Sequence, residues 1–514
     1  MRRVAVVGAG VAGLSAAVHL ARAGAHVTVV EANAFVGGRF ATVGELHFDF
    51  GGRAWRFPVD HGLHGVWRQY RNLRRLLASV PGAAALVPVE DQELVLQRGD
   101  GAVAVEVGAR VRRSRLPDLL APLALLASPH LALGTLREGP HRYAKASARL
   151  LHATAFDGAV DLGRYDELTV DDFLGDWPDW LRRLFCALTH SGFFLDPHEV
   201  SLAAFFTGLS YYSVSSKADS EFSTPRDAAG PGVIEPLVAE VQRRGGEVRL
   251  GVRARRLFVT DAQVSLHVDD AAHAQRLEAD AAVLAVDPPG LRALEVPEAL
   301  ARLFVAHPVP RGVGSVAVRL FFRAAPRRER ATSGIFGDER VDNFFWLDRL
   351  QRPFAAWREA TGGAVLECHL YGARAARAAT QRDDDVIAAV GAAAETGWPE
   401  LRGQRVFAHV QRNPPTHVAF TPGTMARLPP VATPLPRVAL AGDIVATPWP
   451  TLYLERACLT GLLAARQLAP ALGLGGLPEP LPPYAAAPSV ARARPVLRAL
   501  RDRGVFPRAR RAGR

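Results

Sequence analysis

Lysine is scarce in this sequence of 514 residues, although its formal net charge is +11. Lys145 and Lys217 are the lysines among 62 basic residues, so arginine carries nearly all of the positive charge. Such a bias indicates genomic composition more than a binding device. The arginine clusters also lack the interleaved aromatic residues that nucleic-acid recognition uses. We therefore expect no nucleic-acid partner.

Cysteine is equally scarce, since the chain has three, and they are widely spaced: Cys186, Cys368 and Cys458. No disulfide framework and no zinc spacing can be built from them. We expect no metal and a reducing, cytoplasmic location. The first residues, MRRVAVVGAG, lead directly into a strand and a glycine turn, so we expect no cleavable signal.

The chain begins with the pattern of a βαβ dinucleotide-binding unit. Residues 4–7 are typical of a buried parallel strand, residues 14–23 have a helical pattern, and residues 25–30 read as a second strand ending at Glu31. An acid at this point would accept the ribose hydroxyls. The turn between strand and helix would hold the pyrophosphate on glycines and free helix amides. We expect cofactor contacts from Gly8, Ala9, Gly10, Val11, Ala12 and Gly13.

A second glycine pair follows Glu31, in the run Ala32-Asn33-Ala34-Phe35-Val36-Gly37-Gly38-Arg39. This run resembles the extension found in the amine oxidase and phytoene desaturase superfamily of FAD enzymes, and a pure NAD dehydrogenase would not carry it. The resemblance implies a non-covalently bound FAD. It also implies cofactor contacts from Ala32, Gly37, Gly38 and Arg39.

A segment near the far end of the chain resembles the same superfamily. Residues 437–441 read as a strand that closes on Gly442 and Asp443, and a helical stretch follows from Leu454. In the superfamily this acid lies near the flavin ribityl chain, and the helix N-terminus points at the pyrimidine end of the flavin. The resemblance implies further cofactor contacts from Ala254, Gly442, Asp443, Glu455, Arg456 and Ala457.

Together these motifs imply an α/β fold, in which an α+β substrate domain is inserted into a Rossmann-like FAD-binding domain of the GR2 flavoprotein type. The chain is also long enough for more than one core. We predict a discontinuous FAD-binding domain from residues 1–75, 232–292 and 430–470. The substrate-binding and membrane-associating domain would comprise residues 76–231 and 293–429. Residues 471–514 would form a basic tail that is disordered or bound at the surface.

The stretch from Val59 to Leu77 resembles carotenoid desaturases, in which glycine, an apolar residue and histidine precede an aromatic turn and a Tyr-x-Asn-Leu helix start. The sequence of this stretch, and that of Glu455 to Gly461, is most similar to bacterial carotenoid ring desaturases with methyl-shifting activity, of the isorenieratene synthase type. The resemblance implies an FAD oxidoreductase that desaturates a lipophilic polyene, with end-ring aromatisation as an option. It further implies flavin contacts from Gly62, Leu63 and His64.

An amine or amino-acid oxidase is the alternative function. Those enzymes place a lysine beside the flavin N5, in a strand that here covers residues 314–320, and we align that lysine with Val318. An apolar residue at this position suits a hydrocarbon substrate. A flavoprotein whose flavin is only structural is a third hypothesis. The electron acceptor stays open.

His64 is the candidate catalytic residue, as a proton acceptor or a flavin contact. A histidine with a structural role in a packed turn has equal weight. Val318, Trp449 and Tyr453 are candidate substrate contacts, although core packing explains the two aromatic residues equally well.

Residues 119–136 carry no formal charge and reach the length of about 18 residues that a membrane-spanning helix needs. Pro122, Pro129 and His130 argue against a spanning helix. Two alternatives stay open: a buried helical hairpin, and a patch that docks on the bilayer and admits a lipid. Because arginines flank this run, we predict peripheral association with the inner face of the cell membrane.

Overall fold

The computed structural model describes residues 1–504, apart from residues 90, 99–100, 271–272, 328–330 and 337–339. Within these residues the strands in chain order are β1 (Arg3–Val7), β2 (His26–Val30), β3 (Thr42–Phe50), β4 (Arg53–Asp60), β5 (Val66–Trp67), β6 (Leu86–Val89), β7 (Gln92–Arg98), β8 (Gly101–Glu106), β9 (Phe222–Pro225), β10 (Glu247–Arg249), β11 (Arg253–Val259), β12 (Val264–Asp269), β13 (Ala274–Ala279), β14 (Ala281–Leu284), β15 (Gly312–Phe322), β16 (Ser333–Phe336), β17 (Asn343–Trp346), β18 (Ala364–Leu370), β19 (Arg405–Val418) and β20 (Val438–Leu440).

The helices of the same residues are α1 (Val11–Arg22), α2 (Arg71–Ala78), α3 (Gly108–Arg112), α4 (Pro129–Glu138), α5 (Pro140–Ala155), α6 (Leu162–Tyr165), α7 (Val170–Leu174), α8 (Asp179–Phe193), α9 (Leu202–Leu209), α10 (Glu235–Arg243), α11 (Pro288–Ala293), α12 (Glu298–Ala306), α13 (Leu347–Leu350), α14 (Arg352–Thr361), α15 (Gly372–Ala378), α16 (Asp383–Gly397), α17 (Tyr453–Leu472) and α18 (Pro488–Asp502). Short 3₁₀ turns cover Gly38–Phe40, Asp118–Ala127, Lys217–Ser220, Pro399–Leu401 and Met425–Arg427, and π turns cover Ser210–Val214 and Gly230–Ile234.

A five-stranded parallel sheet forms around the N-terminal βαβ unit, in the order β10–β2–β1–β14–β20. Its central strands are rich in β-branched residues because both faces are buried, one under α1, α10 and α17 and the other under the antiparallel sheet β11–β12–β13 with α11 and α12. Val6 lies between Val29 and Val283, and all three are fully buried. The strands come from distant parts of the chain, near residues 3–30, 247–249, 281–284 and 438–440. The predicted Rossmann-like α/β fold class is confirmed.

A seven-stranded mixed sheet forms the second layer, in the order β19–β15–β18–β17–β16–β7–β8. Its pairs are antiparallel except β16 with β7. One face packs Val318 and Leu366 against α16, in a core that contains Val390. The hairpin of β3 and β4, which the predicted boundaries assign to the FAD-binding domain, instead packs Phe57 near this second sheet, where it joins Phe321 in one core.

Helices α4 to α9 form an apolar layer beside both sheets, with a core that contains Phe173, Trp177 and Phe206. The uncharged run of the sequence forms the edge of this layer. It folds as the 3₁₀ turn Asp118–Ala127 followed by α4, and the two are bent by 86°. Among the described residues no single helix is long and apolar enough to cross a bilayer; this bent pair meets the length and composition criteria only when its parts are taken together.

The described part of the C-terminal tail lies on the surface of the molecule, as one of the two predicted alternatives has it. Residues that follow α17 run past α2, where Arg71 donates to the carbonyl of Pro482 at 2.7 Å. Helix α18 then packs on α5 through Leu497 and Ala155. This helix was missed, since prolines and arginines hide its period in the sequence. Residues 505–514 lie outside the described residues.

We predict that Arg501→Ala destabilises the protein because Arg501 pairs with Asp161 at 2.7 Å and both side chains are nearly fully buried. Breaking a buried ion pair leaves a charge without its partner, at a cost of about 3 kcal/mol. Thermal unfolding followed by circular dichroism measures the loss. Arg492→Ala, on the exposed face of the same helix, is the control. Equal melting temperatures for the two variants would contradict the anchoring role of Arg501.

Candidate active site

A cavity of about 1080 Å³ lies between the two sheets and the helical layer. Ligand pockets span roughly 300–1,000 Å³, so this cavity has room for a large cofactor together with part of a substrate. One end is lined by the glycine-rich turn after β1, and the other by β15, β17, β18 and the helices α8 and α9.

The turn after β1 has the shape of a phosphate cradle. Gly8 has φ +101°, and a Cβ there would lie 2.5 Å from the carbonyl oxygen of Ala285. A Cβ at Gly13 would overlap the carbonyl oxygen of Gly8, whereas one at Gly10 would meet nothing within 4 Å. The N-terminus of α1 has no side-chain cap. Because Gly10, Val11 and Ala12 line the cavity, their surroundings are open to an anionic group.

Glu31 lies at the end of β2, in the cavity wall beside Ala32 and Ala254. One carboxylate oxygen accepts from the amide of Ala9 at 2.8 Å, and the other accepts from the amide of Asn33 at 2.9 Å. The acid is therefore fixed against the glycine-rich turn. The structure thus brings Ala254 from the middle of the chain to the nucleotide motif, as predicted from the resemblance.

The second glycine pair packs directly on the first motif. The amide of Gly37 donates to the carbonyl of Ala9 at 2.8 Å, and Gly37 and Gly38 line the cavity. Arg39 makes two hydrogen bonds of 2.7 Å to the carboxylate of Asp443. These residues were predicted to act at separate points of the cofactor, and the structure joins them in one bidentate ion pair. Gly442 and Asp443 also line the cavity.

The start of α17 divides between the cavity and the interior. Tyr453, Leu454 and Ala457 line the cavity. The side chain of Glu455 points elsewhere: it accepts from the amides of Asn72 and Leu73 at 2.9 and 3.0 Å, at the start of α2.

Arg456 is buried with its guanidinium donating to the carbonyl of Thr451 at 2.8 Å. The predicted cofactor contacts of the Glu455 and Arg456 side chains are therefore corrected to structural contacts. On a helix, residues 453, 454 and 457 share a face that 455 does not share.

Two of the predicted substrate contacts are corrected as well. Trp449 is absent from the cavity wall, and its carbonyl accepts from the hydroxyl of Thr447 at 2.7 Å. Val318 is fully buried in the core on the far face of β15, whereas its neighbour Ala317 lines the cavity. Tyr453 does line the cavity, and its hydroxyl donates to the carbonyl of Gly192.

The segment Gly62-Leu63-His64, predicted to contact the flavin, lines the cavity. The imidazole Nδ1 of His64 lies 2.7 Å from the carbonyl oxygen of Gly62, so Nδ1 carries the proton in this pair. Burial lowers the pKa of His64 to about 4. The ring is therefore neutral at neutral pH, and its centroid lies 5.0 Å from that of Phe40.

A buried charged network behind the cavity wall was missed from the sequence. Glu367 pairs with Arg319 at 2.7 Å, and each side chain is 1% exposed. Burial alone would raise the pKa of Glu367, but Arg319 and His369 lower it to about 2. The alternation Glu367-Cys368-His369-Leu370-Tyr371 was the available signal, since every second residue of a strand shares a face.

No group of three or more His, Cys, Asp or Glu side chains that could hold a metal ion occurs in the described part of the chain. The cavity does fit a flavin dinucleotide. Its open space at Gly10, the free amides of α1 and the carboxylate of Glu31 suit the phosphates and ribose, and the cavity extends further along α8, α9 and β15.

The family model for flavin containing amine oxidoreductases matches residues 11–469. The chain is 30% identical over 491 residues to the carotenoid phi-ring synthase of Streptomyces griseus, covering 92% of this chain and 89% of that protein. It is 25% identical to a probable zeta-carotene desaturase of Synechococcus elongatus, covering 58% and 60% of the two chains.

Solved structures of amine oxidases have a similar fold. A putrescine oxidase A394C mutant aligns with a TM-score of 0.67 at 16% identity, covering 91% of this chain and 99% of that one. Cyclohexylamine oxidase from Brevibacterium oxydans aligns with a TM-score of 0.62 at 18% identity, with coverages of 92% and 99%. Together with the family match, this confirms the predicted cofactor, FAD, and the predicted class, an FAD-dependent oxidoreductase.

We predict that Gly10→Ala and Gly13→Ala impair different properties, FAD binding in the first variant and stability of the apoprotein in the second. Gly10 has φ −75° and ψ 179°, which alanine adopts freely, but its methyl group would occupy the space of the pyrophosphate. We expect at least about tenfold weaker FAD binding, which corresponds to about 1.4 kcal/mol, and an unchanged apoprotein melting temperature.

Gly13→Ala should instead destabilise the apoprotein by about 1–3 kcal/mol, because its Cβ overlaps the backbone of Gly8. Flavin content and apoprotein unfolding separate the two effects. Normal FAD affinity in the Gly10→Ala variant would show that the cofactor does not lie against this turn.

Proposed function

Because the chain belongs to the flavin-containing amine oxidoreductase family, we propose that it desaturates a carotenoid and aromatises its end ring. When bound, FAD supplies the acceptor for a hydride. The observation that carries the proposal is the similarity, over 92% of the chain, to a carotenoid phi-ring synthase, in a molecule whose cavity continues into an apolar chamber.

The chamber is formed by helices α8 and α9 and by β9. Its apolar lining residues are Leu188, Phe193, Phe205, Leu209, Tyr212 and Phe222. Such walls suit a hydrocarbon, since they offer little to a charged amine and keep water away from a ring cation. A ring with two methyl groups on one carbon cannot become aromatic unless one methyl migrates, and a cation on the neighbouring carbon permits that shift.

The distribution of lysine favours a carotenoid over an amine. Lys145 lies on α5 and pairs with Asp176 at 3.4 Å, and Lys217 donates to the carbonyl of Ser114 at 2.8 Å. Neither residue is among those that line the cavity. The strand expected to carry the lysine of amine oxidases presents Ala317 to the cavity instead.

We predict that a carotene with cyclic end groups, supplied in liposomes without oxygen, reduces the bound flavin. Acyclic carotenes should react more slowly, and small amines should not react, because the part of the chamber formed by α8, α9 and β9 is lined by apolar side chains. Flavin fluorescence reports the reduction, and chromatography with mass analysis identifies the product. Each end ring that becomes aromatic should make the product lighter by two pairs of hydrogen atoms. Reduction by amines alone would overturn the carotenoid assignment.

We also propose that the protein docks on a membrane surface through an apolar edge, defined by residues 116–138. Leu120, Leu123, Leu133 and Leu136 are 41–65% exposed on this edge. An isolated exposed leucine needs no explanation, but a cluster beside basic residues is typical of interfacial helices. These exposed side chains favour the docking patch over the buried hairpin.

Hydrogen bonds connect the apolar edge to a loop that borders the cavity. The carboxylate of Asp118 accepts from the hydroxyl of Ser216 at 3.0 Å and from the amide of Lys217 at 2.9 Å. Ser213 and Ser220, on either side of that loop, line the cavity. A lipid that leaves the bilayer at this edge would therefore meet the chamber within a short distance.

We predict that the double variant Leu133→Ser, Leu136→Ser lowers association with anionic vesicles by about tenfold, since each exposed leucine contributes apolar area to an interface. Vesicle flotation measures the bound fraction. Val305→Ser is the matched control, because Val305 is 81% exposed on α12, away from the edge. Equal binding by both variants would exclude this edge as the docking surface.

A further inference from the structure

Three side chains form a hydrogen-bonded chain from the protein interior to the cavity wall. Glu367 lies behind the wall, while His369 and Tyr371 line the cavity. The Nε2 of His369 lies 2.7 Å from Glu367 Oε1, and its Nδ1 lies 2.7 Å from the hydroxyl of Tyr371. His369 and Tyr371 are each 5% exposed. The chain therefore ends at a hydroxyl group on the cavity wall.

The direction of these hydrogen bonds follows from the carboxylate. Glu367 is ionised, because Arg319 and other donors hold its pKa at about 2 despite its burial. A carboxylate can only accept, so Nε2 of His369 carries the proton. In the neutral ring Nδ1 is then an acceptor, and the Tyr371 hydroxyl donates to it. The side chain of Asn343 is a second hydrogen-bond partner of this hydroxyl.

The carboxylate is held rigidly in place. Glu367 Oε1 also accepts from the amide of Leu63 at 2.6 Å, and Arg319 donates to the carbonyl of Asp60 at 2.6 Å. A Cβ at Gly62, where φ is +151°, would lie 2.9 Å from Nε2 of His369. The segment that lines the cavity beside His64 is thus fitted around this network.

The strand register places the chain on the face that bounds the cavity. His369 lies between Ala317 of β15 and Asn343 of β17, and both neighbours line the cavity. Ser315, Val316 and Ala317 line the cavity on the strand where amine oxidases are expected to carry a lysine. The hydroxyl of Tyr371 is therefore on the wall that bounds the reacting part of a substrate.

We propose that Tyr371, His369 and Glu367 transfer the proton that each desaturation releases, a role that rests on the proposed function. Removal of a hydride leaves a cation on the substrate. The C–H bond on the adjacent carbon then breaks, its electron pair forms the new double bond, and its proton goes to the Tyr371 oxygen. The Tyr371 proton moves to Nδ1 of His369, and Glu367 stabilises the resulting imidazolium.

His64 serves this step less well than His369. No carboxylate contacts its imidazole, whose bonded partner is the carbonyl of Gly62. A protonated His64 would be a charge in a chamber with few polar groups, and burial lowers its pKa to about 4. His369 instead has an ionised partner at hydrogen-bond distance. A positive charge is therefore cheaper on His369 than on His64.

Tyr371→Phe tests the proposal in the FAD-loaded enzyme, because it removes one oxygen and keeps the ring. We expect the rate at which the desaturated carotene forms to fall by about 100-fold, the usual scale for losing an acid–base group. The slowing of the wild-type reaction in D₂O should disappear in the variant. His369→Gln, which keeps a donor for Glu367 but accepts no proton, should behave in the same way.

A readout that does not depend on turnover is the ¹⁵N NMR signal of His369, assigned by its loss in His369→Gln. Wild-type protein should show a neutral ring with its proton on Nε2, and Tyr371→Phe should shift the Nδ1 signal. The matched control is Tyr165→Phe, because Tyr165 contacts Nδ1 of His152 at 3.3 Å in the helical layer and does not line the cavity. It should leave both rate and signal unchanged.

The outcomes separate this proposal from the proposed function. If wild-type protein reacts with carotenes and Tyr371→Phe keeps its rate and its D₂O effect, the proton-transfer role is wrong. A slow variant that keeps the full D₂O effect also overturns it, since the hydroxyl would then only position the substrate. If wild-type protein reacts with amines alone, the proposed function is wrong, whatever the NMR signal shows.

Discussion

The site depends on one constraint: distant segments of the chain must end at the same edge of a parallel sheet. The glycine-rich turn follows β1, Glu31 follows β2, Ala285 follows β14, and Gly442 follows β20. Parallel strands bring their carboxyl ends together, so these turns form one cradle only when the sheet is complete. The bidentate bond between Arg39 and Asp443 then joins residues from opposite ends of the chain. Cofactor binding and folding are therefore closely linked.

The second sheet buries an ion pair, which costs free energy that good packing of the sheet would not require. Arg319 and Glu367 are both 1% exposed, and buried ion pairs often contribute less to stability than apolar residues of similar size. Glu367 offsets part of this cost through its bonds to Leu63 and His369. This ion pair fixes the segment beside His64 although its burial is unfavourable. Such a cost is consistent with preorganisation of a site, in which stability is given up for geometry.

The nucleotide end of the site could be predicted from the sequence because its determinants are local. A glycine spacing between a strand and a helix specifies the turn without knowledge of the rest of the fold. The sheet wall could not be predicted, since a shift of one residue in a strand moves a side chain to the opposite face. Val318 faces the core, for example, whereas its neighbour Ala317 lines the cavity. Glu455 and Trp449 show the same limit, because neighbouring positions of a helix or loop face different partners. The alternation that carries His369 and Tyr371 predicts a polar strand face, but it does not say that this face bounds the cavity.

In an apolar chamber, a side chain of the protein must accept the proton. In an open site, water takes the proton that accompanies the loss of a hydride. Phe193, Phe205 and Phe222 line the chamber, and an apolar surrounding penalises any isolated charge. The acceptor must then hold its positive charge beside a fixed negative one. Glu367 supplies that charge beside His369, which explains why a cavity suited to a hydrocarbon keeps a carboxylate directly behind its surface.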